Sequence, residues 1–155
     1  MDLFAELVKR RDEEREKMKN PTVVVKNKEL PWSESEYGKL KWYMHPALKD
    51  RALQTLAVYL QELPPGGRSA KIQQQGEVII YLLEGEGYSI VDGSRFDWKP
   101  GDCINLPSKL EGVVHQHFNK SQTVPARLLV AMPNLFDSLG VDMGCGFEVL
   151  EKAFS

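Results

Sequence analysis

No apolar run in this 155-residue chain approaches the roughly 18 consecutive apolar residues that a spanning helix requires, so a helical membrane anchor is not expected. Cysteine is scarce. Cys103 and Cys145 lie far apart, which argues against a disulfide scaffold and makes a reducing cytoplasm the expected setting. A basic surplus is also missing: Lys and Arg number 20 against 22 Asp and Glu, for a formal net charge of -2. With nothing to neutralise phosphates, nucleic acid is not an expected partner. The opening MDLFAELVKRRDEEREK is charged early and lacks the apolar segment of a secretory signal. No serine stands in a nucleophile elbow, and no glycine loop is built to cradle phosphate. Repeats, low-complexity tracts and long linkers are absent as well.

What is present is an ordinary globular balance, 42% hydrophobic and 27% charged, in a chain of one-domain size. Asp2 to Lys19 reads as a helix whose apolar stripe is Leu3, Phe4, Leu7 and Val8, with the pairs Glu6–Arg10 and Glu13–Lys17 on its wet side. That stripe is expected to pack on the domain or on a second subunit. Asn20-Pro21 ends the helix. Residues 1–20 thus form a helical lead and 21–155 the single domain. Short strands follow: Thr22 to Val25 as an edge strand, Leu40 to Met44, Gln54 to Leu63, Val78 to Leu83, Tyr88 to Val91, Ser94 to Trp98, Cys103 to Leu106, Val113 to Phe118 and Ala126 to Met132. Asp92-Gly93 marks a two-residue hairpin. Asn134 to Leu139 and Phe147 to Ala153 read as short closing helices. Many short strands with turn signals every 8–12 residues imply an all-β sandwich or barrel.

Two glycine-framed stretches carry a resemblance. PPGGRSAKIQQQGEVIIYLLEGEG, with Gly66 and Gly85 correctly spaced, resembles the first motif of the cupin superfamily. GDCINLPSKLEGVVHQHFN resembles the second through Gly101, Pro107, Gly112, His115 and Asn119, with three extra residues before Gly112. The likeness covers residues 56–132, and the LKWYMHP and SIVDG-x4-W-x-PGD runs are similar to gentisate-dioxygenase-like bacterial cupins. It implies an antiparallel cupin β-barrel, a double-stranded β-helix or jelly roll, with a ligand pocket. It also implies a homodimer paired through an edge strand, Thr22 to Val25 being the candidate, or through a swapped N-terminal segment.

The family's first motif supplies two histidines and a glutamate to a divalent metal. Here those positions hold Ile72, Gln74 and Val78, and Ile72 and Val78 cannot bind one. Only His115 of the second motif remains. His117, two residues on in a strand, shares its face, so if His115 points into the barrel, as the resemblance implies, both imidazoles meet in the pocket. Two readings stand. In one, His115 and His117 hold Fe, Zn, Ni or Mn, with Gln74, or Glu77 if its strand end turns inward, as third donor. In the other, a metal-free pair bonds to Gln73, Gln74 or a ligand, an anion included when one ring is protonated.

The other candidates are read against blander roles. The Gln73-Gln74-Gln75 run is a polar row facing the pocket or an exposed loop without a role; the resemblance implies Gln74 as its inward member and directs Val78, Ile80 and Leu82 inward as an apolar lining, with Tyr81 turned away. Trp42, Trp98 and Phe118 are ligand contacts or plain core. Arg68 meets a ligand carboxylate or stays on a loop. His45 is a surface turn residue unless its strand end faces the barrel mouth, and Cys103 reads as buried filler. Three functions fit. One is a metal-dependent, oxygenase-like enzyme acting on a small aromatic or carboxylate-bearing compound. The others are a metal-independent small-molecule-binding cupin and a dimeric accessory protein without catalysis.

Overall fold

The computed structural model describes residues 2–51, 53, 55–134 and 147–153. Helix α1 (Leu3–Lys17) starts where Asp2 accepts the backbone N–H groups of Phe4 and Ala5, satisfying donors that a first turn leaves open. Glu6 pairs with Arg10 as expected, but Lys17 takes Glu14 and leaves Glu13 to Lys9. The helix buries none of its residues, and Leu3, Phe4 and Leu7 stay 67%, 75% and 64% exposed. The expected packing of this stripe on the chain's own domain is therefore not found. No described helix is long and apolar enough to cross a membrane.

Eleven strands follow among the described residues: β1 (Ser33–Ser35), β2 (Gly38–Met44), β3 (Leu56–Leu63), β4 (Lys71–Gln74), β5 (Val78–Glu84), β6 (Gly87–Val91), β7 (Ser94–Trp98), β8 (Cys103–Leu106), β9 (Val113–Asn119), β10 (Ala126–Pro133) and β11 (Phe147–Glu151). They make two antiparallel sheets, ordered β1-β2-β3-β10-β5-β8 and β11-β4-β9-β6-β7. From β3 onward the chain passes from one sheet to the other at each strand, apart from the β6–β7 hairpin. A core of Leu63, Val78, Ile80, Leu82, Trp98, Leu106, Val113, Ala126, Leu128 and Val130 joins them.

Local chemistry explains the turns. In the β6–β7 hairpin Asp92 and Gly93 both take positive φ, 47° and 81°, as a two-residue primed turn demands. Gly85 turns between β5 and β6 at φ 80°, where a Cβ would sit 2.8 Å from Ala126 Cα, so no larger residue fits without displacing β10. Along β5 burial alternates with period two: Val78, Ile80 and Leu82 are buried, while Ile79, Tyr81 and Leu83 face outward.

Three expectations need correction. Phe147–Glu151 is a strand, paired with β4, and no helix is seen there. Of Thr22 to Val25 only Thr22 makes a bridge, to Arg51, and Val23 and Val24 stand 79% and 72% exposed. β-Branched residues form a strand only where a neighbouring surface receives them. Cys103 is exposed rather than buried, because β8 is a sheet edge and the residue lies beside outward-facing Tyr81. The all-β expectation holds in its jelly-roll form: among the described residues the strands make two sheets facing across a core, and a closed barrel is not seen. The Asn134 to Leu139 helix falls, after Asn134, outside the described residues.

Candidate functional site

Strand β9 places the histidines. It lies between β4 and β6, with Ile72 and Val91 opposite His115 and Ser89 opposite His117. Residues two apart share a face, so both imidazoles point between the sheets, at 6% and 2% exposure. They border a cavity of about 460 Å³, a volume that suits a drug-sized or smaller ligand. Gln74 enters from β4, Ile72 and Ala70 lie beside it, and Val78, Ile80 and Val130 form the facing wall. Trp42, His45 and Tyr59 cluster at one side, with the Trp42 ring centroid 4.9 Å from His45 and 4.8 Å from Tyr59. All three histidines of the chain thus border one cavity, His45 included, which its turn context had left as a surface residue.

The polar groups form a continuous chain. Trp98 Nε1 lies 3.0 Å from Ser89 Oγ, and Ser89 Oγ lies 2.7 Å from His117 Nδ1. His117 Nε2 is 3.2 Å from His115 Nδ1, and His115 Nε2 is 3.3 Å from Gln74 Oε1. Gln74 Nε2 in turn lies 3.2 Å from Met132 Sδ. Also bordering the cavity, Ser69 accepts the His117 backbone N–H through its hydroxyl and the Gln116 carboxamide through its carbonyl.

Burial controls the charge states. It pushes the His115 pKa down to about 4, against a smaller upward pull from the Asp92 carboxylate at the hairpin turn. His117, wholly enclosed, is held well below the usual histidine value by burial and then by His115. Both rings are neutral at pH 7, so the expected protonated ring that meets an anion is not set up here. Burial likewise raises Tyr59 to about 12 and keeps its hydroxyl neutral. No Lys, Arg, Asp or Glu is among the described residues lining the cavity.

Several anticipated ligand residues lie elsewhere. Gln73 and Gln75 donate to the carbonyls of Glu111 and Leu110, tying down the loop before β9 instead of facing the cavity. Arg68 is within 3.8 Å of Glu151 and does not border the cavity. Glu77 is exposed and also outside the lining. Phe118 stacks on Tyr88 with ring centroids 4.7 Å apart, and Trp98 sits one layer behind Ser89. Ser89 and Ser69 had drawn no notice in the sequence. The signal for Ser89 was a small polar residue at an inward position of β6, with Gly87 and Val91 as its same-face neighbours.

The metal set of the resemblance does not fit these residues. Among the described residues no three His, Cys, Asp or Glu side chains converge. Gln74 meets His115 on the nitrogen opposite to the one facing His117, and the two ring nitrogens of one imidazole point apart with only one of them free of a proton, so a single ion cannot use His117, His115 and Gln74 together in this arrangement.

Two antiparallel sheets enclosing an apolar, ligand-sized cavity define a β-sandwich or jelly-roll fold. The chain belongs to the cupin superfamily: its residues 59–132 match the cupin domain family. It is 31% identical over 88 residues to an uncharacterised protein of Methanocaldococcus jannaschii, covering 48% of this chain and 68% of that one. Among solved structures it resembles a single-substitution (Gly to Ala) mutant of the salicylate 1,2-dioxygenase of Pseudoaminobacter salicylatoxidans in complex with gentisate, with TM-score 0.61 and 16% identity over 77% of this chain. This chain spans only 31% of that dioxygenase. The polyketide cyclase RemF of Streptomyces resistomycificus has TM-score 0.60 and 18% identity, with 72% of this chain and 79% of RemF covered. At these identities the structural likeness establishes the fold.

Proposed function

We propose that this cupin binds a neutral, largely apolar small molecule, an aromatic compound in particular, in the cavity between its sheets and without a metal. The observation that carries this reading is the lining. It has no charged side chain among the described residues, and burial keeps both of its enclosed histidines uncharged. Val78, Ile80 and Val130 offer an aliphatic wall for a ring, and Gln74 and His115 a polar one for a single functional group. Among the described residues the lining offers a carboxylate no Lys or Arg to pair with, and burying it unpaired is costly. Gentisate, the acid held by the dioxygenase neighbour, therefore shows a kind of ligand that this lining does not suit.

The test compares 2-acetylnaphthalene with 2-naphthoate, two compounds with the same rings and different charge, by calorimetry and by amide shifts in ¹⁵N spectra. The neutral ketone is expected to bind, to shift signals around Ile80, Gln74 and Val130, and to bind at least about tenfold more tightly than the acid. Equal or stronger binding of the acid overturns the reading. So does stoichiometric metal that survives chelator dialysis and disappears in a His115→Ala/His117→Ala variant.

A second reading concerns assembly and rests on α1. A 15-residue helix with nothing buried is marginal alone in water, so the exposed stripe of Leu3, Phe4 and Leu7 supports pairing with a second copy of the chain. Light scattering behind gel filtration is expected to report a dimer, and Leu3→Glu/Leu7→Glu a monomer. A wild-type monomer would remove the idea.

A further inference from the structure

The chain of polar groups between the sheets has a direction, and the direction decides what the cavity can recognise. One end is Trp98, whose indole N–H can only donate. The other end is Met132, whose thioether can only accept. Between them every group has two faces, and its neighbours choose which one is used.

Ser89 is fully buried and accepts from the indole, so its own proton needs an acceptor. Among the described residues the hydroxyl has one further partner, His117 Nδ1 at 2.7 Å. The opposite arrangement, with His117 Nδ1–H donating to Ser89, leaves that hydroxyl proton buried with nothing to receive it, which native interiors avoid. His117 must then carry its proton on Nε2 and give it to His115 Nδ1. His115 in turn carries its proton on Nε2 and gives it to Gln74 Oε1. The Gln74 oxygen is committed, and its amide nitrogen turns toward Met132 and the cavity, which the thioether independently requires. One of the two amide protons meets the sulfur, and the second has no hydrogen-bond partner among the described residues.

We propose that Trp98 and Ser89, neither of which borders the cavity, act as positioning residues: they lock both histidines in the Nε2–H tautomer and aim the Gln74 amide N–H at the ligand. The neutral compound inferred above is thereby narrowed to one carrying a hydrogen-bond acceptor, such as an aryl ketone, aldehyde or ether. This deepens the proposed function and rests on it for the ligand, although the tautomer lock itself does not depend on any ligand. Neither imidazole keeps a free lone pair. The pair is then unable to act as a base or to ligate an ion without breaking the chain.

Long-range ¹H–¹⁵N spectra of the imidazole rings at pH 7.5 test the lock directly. Both His115 and His117 are expected to show a protonated Nε2 and an unprotonated Nδ1. An Nδ1–H tautomer, an averaged pair or an imidazolium at either ring overturns the proposal. Ser89→Ala removes the relaying hydroxyl and should shift both rings toward averaged tautomer positions. Unchanged ring signals in that variant also overturn it. Trp98→Phe should act in the same way, and Ser89→Ala stands alone if that core change prevents folding.

The ligand side is read with 2-acetylnaphthalene against 2-ethylnaphthalene, which differ in the carbonyl alone. The ketone is expected to bind about fivefold more tightly in the wild type, the worth of one net hydrogen bond, and to lose that preference in Gln74→Leu. A wild type without the preference refutes the aiming of Gln74. If neither compound binds, the reading of the cavity as a ligand site fails, while the ring signals still decide the tautomer lock.

Discussion

The two walls of the cavity are built on opposite rules. On β5 and β10 the inward residues, Val78, Ile80, Leu82, Leu128 and Val130, are aliphatic and buried to 3% exposure or less. Facing them, β9 turns His115, His117 and Asn119 inward at similar burial, and each is hydrogen-bonded. The aliphatic wall is held by surface removed from water and needs nothing behind it. The polar wall stands because each side chain finds partners: Ser89, backed by Trp98, for His117, Gln74 for His115, and backbone carbonyls for Asn119. One wall is a matter of shape and the other of matched protons, and they should fail under different insults.

Perturbing each wall separately sharpens this contrast. The largest effect is expected for Leu82→Ala, which empties a fully enclosed site and should cost about 4 kcal/mol in denaturant unfolding, equally at pH 7 and pH 5. Acid should strike the polar wall instead. Burial places the folded-state pKa of His115 near 4, below an unfolded value near 6.5, so the unfolded chain binds more protons in between. Stability should therefore be fully present above about pH 6.5 and be lost as pH falls toward 4, by about 3 kcal/mol from this ring alone. In His115→Phe that loss should shrink, and an unchanged pH profile would contradict the assignment. Ser69→Ala, which removes the hydroxyl that accepts the His117 N–H, should cost about 1 kcal/mol by thermal unfolding. Smallest of all, Ile79→Thr on the outer face of β5, 52% exposed, should stay within about 0.5 kcal/mol. A larger effect would show that another surface covers this face.

The same contrast explains what was legible in the sequence. The aliphatic wall was, since Val78 to Leu83 is a continuous apolar run and the family motif directs Val78, Ile80 and Leu82 inward. So was the Asp92-Gly93 turn, whose two positive φ angles leave few residue choices. The inward histidine pair followed from a spacing of two together with the family motif. Its supports did not follow, because Ser89 meets His117 through the β6–β9 register, which no local pattern encodes. Strand β4, reading Lys-Ile-Gln-Gln, lacks apolar alternation and drew no notice as a strand. β11, reading Phe-Glu-Val-Leu-Glu, suits a helix or a strand by composition, and pairing with β4 decides. The fate of Gln73 was equally non-local: it shares a run with Gln74, but alternation turns it outward to the loop carbonyl at Glu111.

That β11 pairing reaches further than the edge of a sheet. Phe147 stands opposite Gln74 in the ladder, so the backbone of this cavity-lining residue is clasped between β9 and a segment from far along the chain. Contacts that span so much sequence are entropically slow to close. A molecule can then have its aliphatic interior complete while the Gln74 amide still swings loose. Competence to hold a guest should lag behind compactness during refolding, and should be the first property to fade when that terminal ladder frays.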